Sequence, residues 1–386
     1  MVVMAKRGQL RLETGVVVVL AIVSTMLVWL PFWLRMVLPG WEIDFSGGME
    51  TVFANYDGPN YLIIARSWYD PEVIRASFSN PLPLEYYPAH LPMYPALVWL
   101  ADLFLPGTWA MLLVTVLGTV LAVSAFYQLV RKLGLEKEAV WLSVVFLLLP
   151  ARWLVVRSVG SPEPWFILFV LMSLMNFREK KYWWAGMFGV LAQLTKSPGV
   201  LLLVGYGVYF VHQIVKGKKG SWSNALASYP LVLIPLSVLG LFYFYQWRVG
   251  DFWAYFNSGD NFHLFWPPFS IFSPKGQFWT GEFWLEEIIW IWLVYGVGIV
   301  KLWKKGWVEL ASFATVFFVS TLFVSHRDIA RYILPIFPLV LLGWEKEVSS
   351  REFKWVILLL AVPIWLYSWN FMLHNTTMID NWGPYL

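Results

Sequence analysis

The feature that most constrains this chain is a series of apolar segments, several long enough to cross a bilayer, separated by short basic loops. The first runs from about Thr14 to Leu38 behind Lys6, Arg7 and Arg11; another, Thr108 to Val130, ends on Arg131 and Lys132. A hydrocarbon core about 30 Å thick is crossed by about 20 apolar residues in a helix. Inside lipid, every backbone group must be satisfied within the chain, so such segments fold as helices. The 13% charged content is about half that of a soluble domain. The sequence therefore predicts an all-α, polytopic transmembrane bundle, a single membrane-embedded domain over residues 1–386.

The first apolar segment is longer than a signal's apolar region and Leu30-Pro31-Phe32-Trp33 offers no small-residue cleavage site, so it reads as an uncleaved span with its N-terminus inside. Leu91–Leu105 is short and contains Pro92, Pro95 and Asp102. If it crosses, Arg131-Lys132 and every later basic loop fall outside. If it lies at the interface or re-enters, Arg131, Lys132 and Lys137 fall inside, with Arg178, Lys180, Lys181, Lys216, Lys218, Lys219, Lys301, Lys304, Lys305, Lys346, Arg351 and Lys354. The second choice obeys the positive-inside rule throughout and is preferred. Further spans are then expected near Glu138–Val156, Pro162–Phe177, Tyr182–Thr195, Gly199–Val215, Asn224–Trp247, Trp284–Val300, Trp307–Val324, Arg331–Trp344 and Lys354–Leu373. That makes about eleven crossings, with the C-terminus outside and outer loops at 39–106 and 248–283. The two short spans around Lys196 alternatively form a tight outward hairpin.

Several functions are set aside. A net charge of +4, spread over short loops, gives no nucleic-acid patch. With no cysteine, disulfides, thiolate catalysis and cysteine metal sites are excluded. Neither a Gly-rich phosphate loop nor a His-Glu-x-x-His motif is present. A transporter is expected to carry its ionisable groups near mid-membrane in broken helices, whereas here they gather at the expected outer ends: Asp44, Asp57, His90, Arg152, Arg157, Glu163, Lys196, Asp260, His263, His326, Arg327, Asp328 and Arg331. An enzyme working on a lipid-phosphate donor suits that placement better. Each residue also has a plainer explanation: snorkelling or ion pairing. Glu163 begins a helix, where the dipole favours a carboxylate. Lys196 sits in a turn and reaches either headgroups or a lipid phosphate. Arg327 and Arg331 share a helix face, and Asp328 can pair with either. Asp57 lies in an aromatic loop before Gly58-Pro59, but Asp44 and Glu50 are rival acids there.

At these residues the chain resembles the GT-C glycosyltransferases, in particular the branch similar to the second GPI mannosyltransferase (PIG-V-like) and its prokaryotic relatives. The resemblance rests on Tyr56-Asp57-Gly58-Pro59-Asn60-Tyr61, Tyr87-Pro88 through Met93-Tyr94-Pro95, and Ser161-Pro162-Glu163-Pro164. Leu194-Thr195-Lys196-Ser197-Pro198-Gly199, Trp266-Pro267-Pro268-Phe269 and Ala330-Arg331-Tyr332-Ile333-Leu334-Pro335-Ile336-Phe337-Pro338 complete it. It covers most of the chain in order. It implies a polyprenyl- or dolichyl-phosphate sugar donor such as the mannose form, a catalytic acid at Asp57 in the first outer loop, and helices lying along the membrane.

The expected activity is an inverting glycosyl transfer to a hydroxyl of a glycan, glycolipid or protein acceptor. It takes place at the extracytoplasmic face of the cell membrane, or in the ER lumen of a eukaryote, among membrane lipids and without nucleic acid. Asp57 would be the base. Arg157, Lys196 and Arg331, then Arg152 and Arg327, are the candidates for the donor phosphate, with Asp44, His90, Glu163, His263 and His326 as further site candidates. No cofactor is named, and without an Asp-x-Asp pair around Asp57 divalent-metal dependence stays open. The alternative is a glycolipid or polyprenyl-phosphate flippase or transporter using the same charges without bond cleavage.

Overall fold

The computed structural model describes residues 2–79, 82–259, 263–273 and 285–386, with side chains from residue 12 onward. Asp260 and Trp284 lie outside the described residues, and the side chains of Lys6, Arg7 and Arg11 outside the described side chains. The chain is 75% helical, and its only described sheet is a two-stranded antiparallel hairpin, Val37–Leu38 with Ile43–Asp44. This is an all-α polytopic membrane bundle.

Among the described residues, five helices are long and apolar enough to cross a bilayer: Leu12–Trp33 (within the Val2–Trp33 helix), Gly107–Lys132, Ser197–Val215, Tyr229–Arg248 and Arg351–His374. Other expected spans fall on shorter or interrupted helices. Glu163–Arg178 has 16 residues and Tyr182–Thr195 has 14, which gives lengths of about 21–24 Å. Glu163 and Thr195, where these helices meet the irregular backbone, are buried in protein, where such backbone is tolerated at membrane depth. The span expected over Glu138–Val156 is broken into Ala139–Leu148 and Ala151–Val156. Pro150, between them, has no N–H to continue the helix. Ser221–Ala227 and Leu233–Arg248 are likewise separated, by a 3₁₀ turn at Tyr229–Val232 that contains Pro230.

The helices pack in a chain of neighbours. Val2–Trp33 lies on Gly107–Lys132, which lies on Glu163–Arg178, then Tyr182–Thr195, then Leu233–Arg248. Leu285–Lys304 joins through Val308–Thr321 and Phe337–Gly343. A Cβ on Gly343 would fall 2.2 Å from the Gly298 carbonyl oxygen, so the backbones meet there only because both residues lack one. The core is continuous through Phe126, Phe146, Trp153, Phe166 and Leu342.

Leu91–Leu105 contains a helix of 10 residues, Met93–Asp102, about 15 Å long and half the depth of a bilayer core. Tyr94 and Val98 are buried against the protein, while Trp99, Leu100, Leu103 and Phe104 are exposed. An apolar face left outward suits a helix at the membrane interface. Asp102 is held by two hydrogen bonds from Arg66, at 2.9 and 2.8 Å, on the neighbouring Gly58–Ser67 helix.

Ion pairs sort to the two ends of the bundle. At one end Arg131 faces Glu13 at 3.6 Å, Lys132 meets Glu179, Arg178 meets Glu309, and Lys305 meets Glu345 at 2.9 Å. At the other lie Asp57, Arg152, Glu163, Lys196, Asp328 and Arg331. Single cysteines at exposed Glu85 and Lys218 in this cysteine-free chain should react with an impermeant maleimide from opposite sides of sealed membranes, Glu85→Cys from outside. Labelling of both from the same side would break the topology.

Candidate active site

Asp57 closes a turn and stands at the N-cap of the Gly58–Ser67 helix, yet its side chain makes no capping hydrogen bond. An aspartate there normally spends its carboxylate on the first free N–H groups; this one points at other side chains. Arg331 Nη1 donates to Asp57 Oδ2 at 3.2 Å, and His90 Nε2 lies 3.6 Å from Oδ1. The carboxylate side chain keeps 30% of its surface exposed. Burial works to raise its pKa, but His90 and the Arg331 guanidinium outweigh it and hold the carboxyl well below the usual carboxylate range.

Arg331 reaches Asp57 from the Ile329–Ile333 helix because Glu163 holds it. Glu163 Oε1 accepts from Arg331 Nε at 2.7 Å and from Lys196 Nζ at 2.7 Å. Glu163 is fully buried, at the first turn of its helix, and its Oε2 has no hydrogen-bond partner among the described residues. Lys196 stands in extended backbone where Tyr182–Thr195 ends and the next helical turn begins. Three separate helix ends thus converge on one carboxylate oxygen.

Tyr56, which the sequence did not single out, links a second ion pair to the first. Its hydroxyl accepts from Arg152 Nη1 at 2.8 Å and donates to Asp328 Oδ2 at 3.3 Å, and its ring lies 4.3 Å beneath the Arg331 guanidinium. Its φ of +50° is in the left-handed region, which costs a non-glycine residue roughly 1–2 kcal/mol. A hydrogen bond from its N–H to Asn375 O holds that conformation. The sole clue in the sequence was its place beside Asp57. Arg152 also faces Asp328 Oδ1 at 3.1 Å and stacks 3.7 Å from the Phe371 ring. Neither of the partners expected for Asp328, Arg327 or Arg331, makes an ion pair with it; Arg152 does, because the Ala151–Val156 helix brings it there. Burial raises the Asp328 pKa, against the pull of Arg152 and Arg331.

His326 and His263 lie against each other with ring centroids 4.3 Å apart. The 263–269 strip runs beside 322–325, with Ser325 N–H donating to His263 O at 3.0 Å and Phe265 N–H to Phe323 O at 2.9 Å. Burial, then the neighbouring His263, Arg327 and Arg331, lowers the His326 pKa to about 4. Arg327 is exposed.

Two candidates are placed elsewhere. Arg157 is fully buried and bonds Leu147 O at 3.1 Å, Thr25 Oγ1 at 2.7 Å and Ser24 Oγ at 3.0 Å. Its three-way clamp ties the first helix to the 147–157 segment and leaves no access for a lipid phosphate. Asp44 accepts from the N–H and hydroxyl of Ser46, at 2.8 and 3.1 Å, in the exposed turn after the hairpin. Gly160 explains how the Arg157 segment approaches the site: a Cβ there would lie 2.9 Å from Gly58 Cα, directly after Asp57.

Beside the charged cluster opens an apolar cavity of about 400 Å³. Leu91, Ser197, Tyr332 and His263 line it, the first three each adjacent in sequence to a member of the cluster; Leu201, Leu241, Phe242, Phe317 and Val324 carry it away between the helices. Among the described residues no group of three or more histidine, aspartate or glutamate side chains is gathered as for a metal.

A polytopic helical bundle with a charged cluster at one end and an apolar cavity beside it defines the class of membrane protein; the individual likenesses are structural. ArnT from Cupriavidus metallidurans bound to undecaprenyl phosphate superimposes with a TM-score of 0.55 and 17% identity, over 87% of this chain and 61% of that one. The apo form of that protein gives 0.56 and 18%, over 91% and 63%. The archaeal oligosaccharyltransferase AglB from Archaeoglobus fulgidus, in complex with an inhibitory peptide and a dolichol-phosphate, gives 0.53 and 13%, over 95% and 57%. The chain therefore shares the fold of these proteins and spans about three fifths of their length. No family model and no curated protein matches the sequence.

Arg157→Met should lower stability by about 1.5–3 kcal/mol, the range for hydrogen bonds to a charged group, while the folded fraction keeps wild-type affinity for a polyprenyl-phosphate ligand. Thermal unfolding and ligand binding measured on the same preparation check it.

Proposed function

We propose that this chain is an integral-membrane, inverting glycosyltransferase that takes a sugar, with mannose as the first candidate, from a polyprenyl- or dolichyl-phosphate donor. The acceptor is a hydroxyl of a glycan, glycolipid or protein, met at the extracytoplasmic face. One observation carries this reading: a part-exposed carboxylate not used for capping, Asp57, sits among cations at the edge of an apolar cavity. That combination matches an amphipathic donor whose chain is apolar and whose reacting end is a phosphate. The shared fold supports it, since ArnT is described with undecaprenyl phosphate and AglB with a dolichol-phosphate.

In the proposed reaction Asp57 accepts the proton of the acceptor hydroxyl as its oxygen attacks the anomeric carbon from the face opposite the phosphate. The bond between anomeric carbon and phosphate oxygen breaks, and its electron pair leaves on the polyprenyl phosphate. Lys196 and Arg331 stabilise that departing charge, with Arg152 behind them; such preorganised cations act without reorganising at the moment of reaction. Exposed Arg327 serves the approach of the phosphate. Arg331 is shared between Asp57 and the incoming phosphate, so the phosphate draws it off the carboxylate. The carboxyl pKa then rises, and a weak base becomes a better one as the donor settles.

Asp57→Asn keeps shape and removes the proton acceptor. Turnover with polyprenyl-phosphate sugars should fall by about two or more powers of ten, with donor binding and melting temperature little changed; Asp44→Asn and Glu50→Gln should turn over normally. Loss of turnover in Asp44→Asn with a fully active Asp57→Asn would move the base to Asp44. Because the Asp57 carboxyl is depressed in the free protein, it stays ionised as pH falls through the ordinary carboxylate range. The acid limb of kcat/KM should therefore lie below pH ~4. Lys196→Ala should weaken donor binding by about tenfold, the share of a charge-assisted contact; unchanged binding would leave Lys196 a structural partner of Glu163.

A further inference from the structure

A second cavity, of about 280 Å³, opens at the other end of the bundle. It lies where the Leu201–Val215 helix finishes, while the charged cluster lies where Ser197–Val215 starts. Those 19 residues separate the two by about 28 Å along the helix. Lys180, Lys218 and Lys219 line it. All three are exposed and none has an ion pair with a described residue. The one acid on its wall, Glu309, is hydrogen-bonded by Arg178, so that pair cancels and the three ammonium charges do not.

The wall between the lysines is built of hydrogen-bonding groups. Gln213 is 7% exposed, and its carboxamide has no hydrogen-bond partner among the described residues although it lines the cavity. The body of the side chain is packed away, and its carboxamide stands on the cavity as a donor and an acceptor for whatever occupies it. The Asn224 amide stands on the same wall. So do Val308 and Glu309, the first residues of the 14-residue Val308–Thr321 helix, whose N-cap Trp307 supplies no side-chain hydrogen bond. The free first-turn N–H groups and the positive end of that helix dipole add to the lysine charges.

We propose that this cavity binds a phosphate-bearing anion. Two sources share that chemistry at the end of a membrane bundle: the headgroup of an anionic phospholipid and free phosphate in the aqueous phase. The inference is independent of the transfer reaction, because the cavity shares no residue with the Asp57 cluster.

The full-length protein in neutral detergent is titrated with radiolabelled inorganic phosphate and, separately, with radiolabelled phosphatidic acid in phosphatidylcholine-containing micelles. One of the two is expected to bind saturably, one per chain. The paired change Lys218→Gln with Lys219→Gln should weaken it by about tenfold, and Gln213→Leu should weaken it several-fold, while Lys346→Gln, in the short Glu345–Val348 helix, leaves it unchanged. Saturation by phosphatidic acid that free phosphate does not displace assigns the lipid headgroup; saturation by inorganic phosphate assigns the soluble ion. The proposal is overturned if neither probe saturates, or if the paired lysine change and Gln213→Leu both bind like wild type. Equal weakening by Lys346→Gln also overturns it, since that is the mark of diffuse surface charge.

Discussion

The charged cluster depends on the double pairing of Glu163. A carboxylate removed wholly from water costs several kcal/mol unless its charge is matched. Here one oxygen accepts from both Lys196 and Arg331, and the positive end of its own helix adds to them. The pairing pins together the start of Glu163–Arg178, the break after Thr195 and the short Ile329–Ile333 helix. Arg331 then has its remaining nitrogens to give to Asp57, and its face lies over Tyr56. Without Glu163, Arg331 would lose the contact that sets its direction.

This arrangement leaves the four central charges, Asp57 and Glu163 against Lys196 and Arg331, formally balanced. A phosphate reaching these four groups finds no spare cation among them and must share one already in use. Lys196 and Arg331 differ in what they give up: the lysine gives up part of its bond to Glu163, whereas the arginine can keep Glu163 through Nε and release Asp57 from Nη1. In the proposed reaction donor binding and activation of the base are therefore one event. The unpartnered Glu163 Oε2 adds an acceptor at the same place. The apolar cavity carries no such charge, which fits a lipid tail and sets the reacting end at the cluster.

Much of this was legible in the sequence because lipid is a demanding solvent. Apolar runs in lipid must be helical, and clustered lysines mark one set of helix ends. The interfacial or re-entrant placement of Leu91–Leu105 followed from the charge pattern alone, and the 10-residue length of its Met93–Asp102 helix agrees with it. Breaks at Pro150 and Pro230 fell inside expected spans, since a window of mean hydropathy averages over a proline that has no N–H to continue the helix. At the charged end, the sequence could enumerate ionisable residues but not sort them. The sequence reading put Arg157 beside Arg331 and ahead of Arg152. The structure separates them by what lies within three or so ångströms of each guanidinium: Tyr56 and Asp328, Ser24 and Thr25, or Glu163 and Asp57.

Hydrophobic length and the placement of lysines are local properties, read one segment at a time, and they determined that this chain is a polytopic helical bundle with a group of candidate site residues at one set of helix ends. The partners of Asp57 lie at positions 90 and 331, and those of Glu163 at 196 and 331. Which of thirteen candidate groups face one another is decided by helix packing, down to the approach of Gly160 to Gly58 and of Gly298 to Gly343. An ion pair forms only within about 4 Å, a distance far finer than any spacing in the sequence resolves. The tertiary structure alone therefore made Asp57 a partnered, accessible carboxylate and Arg157 a buried clamp.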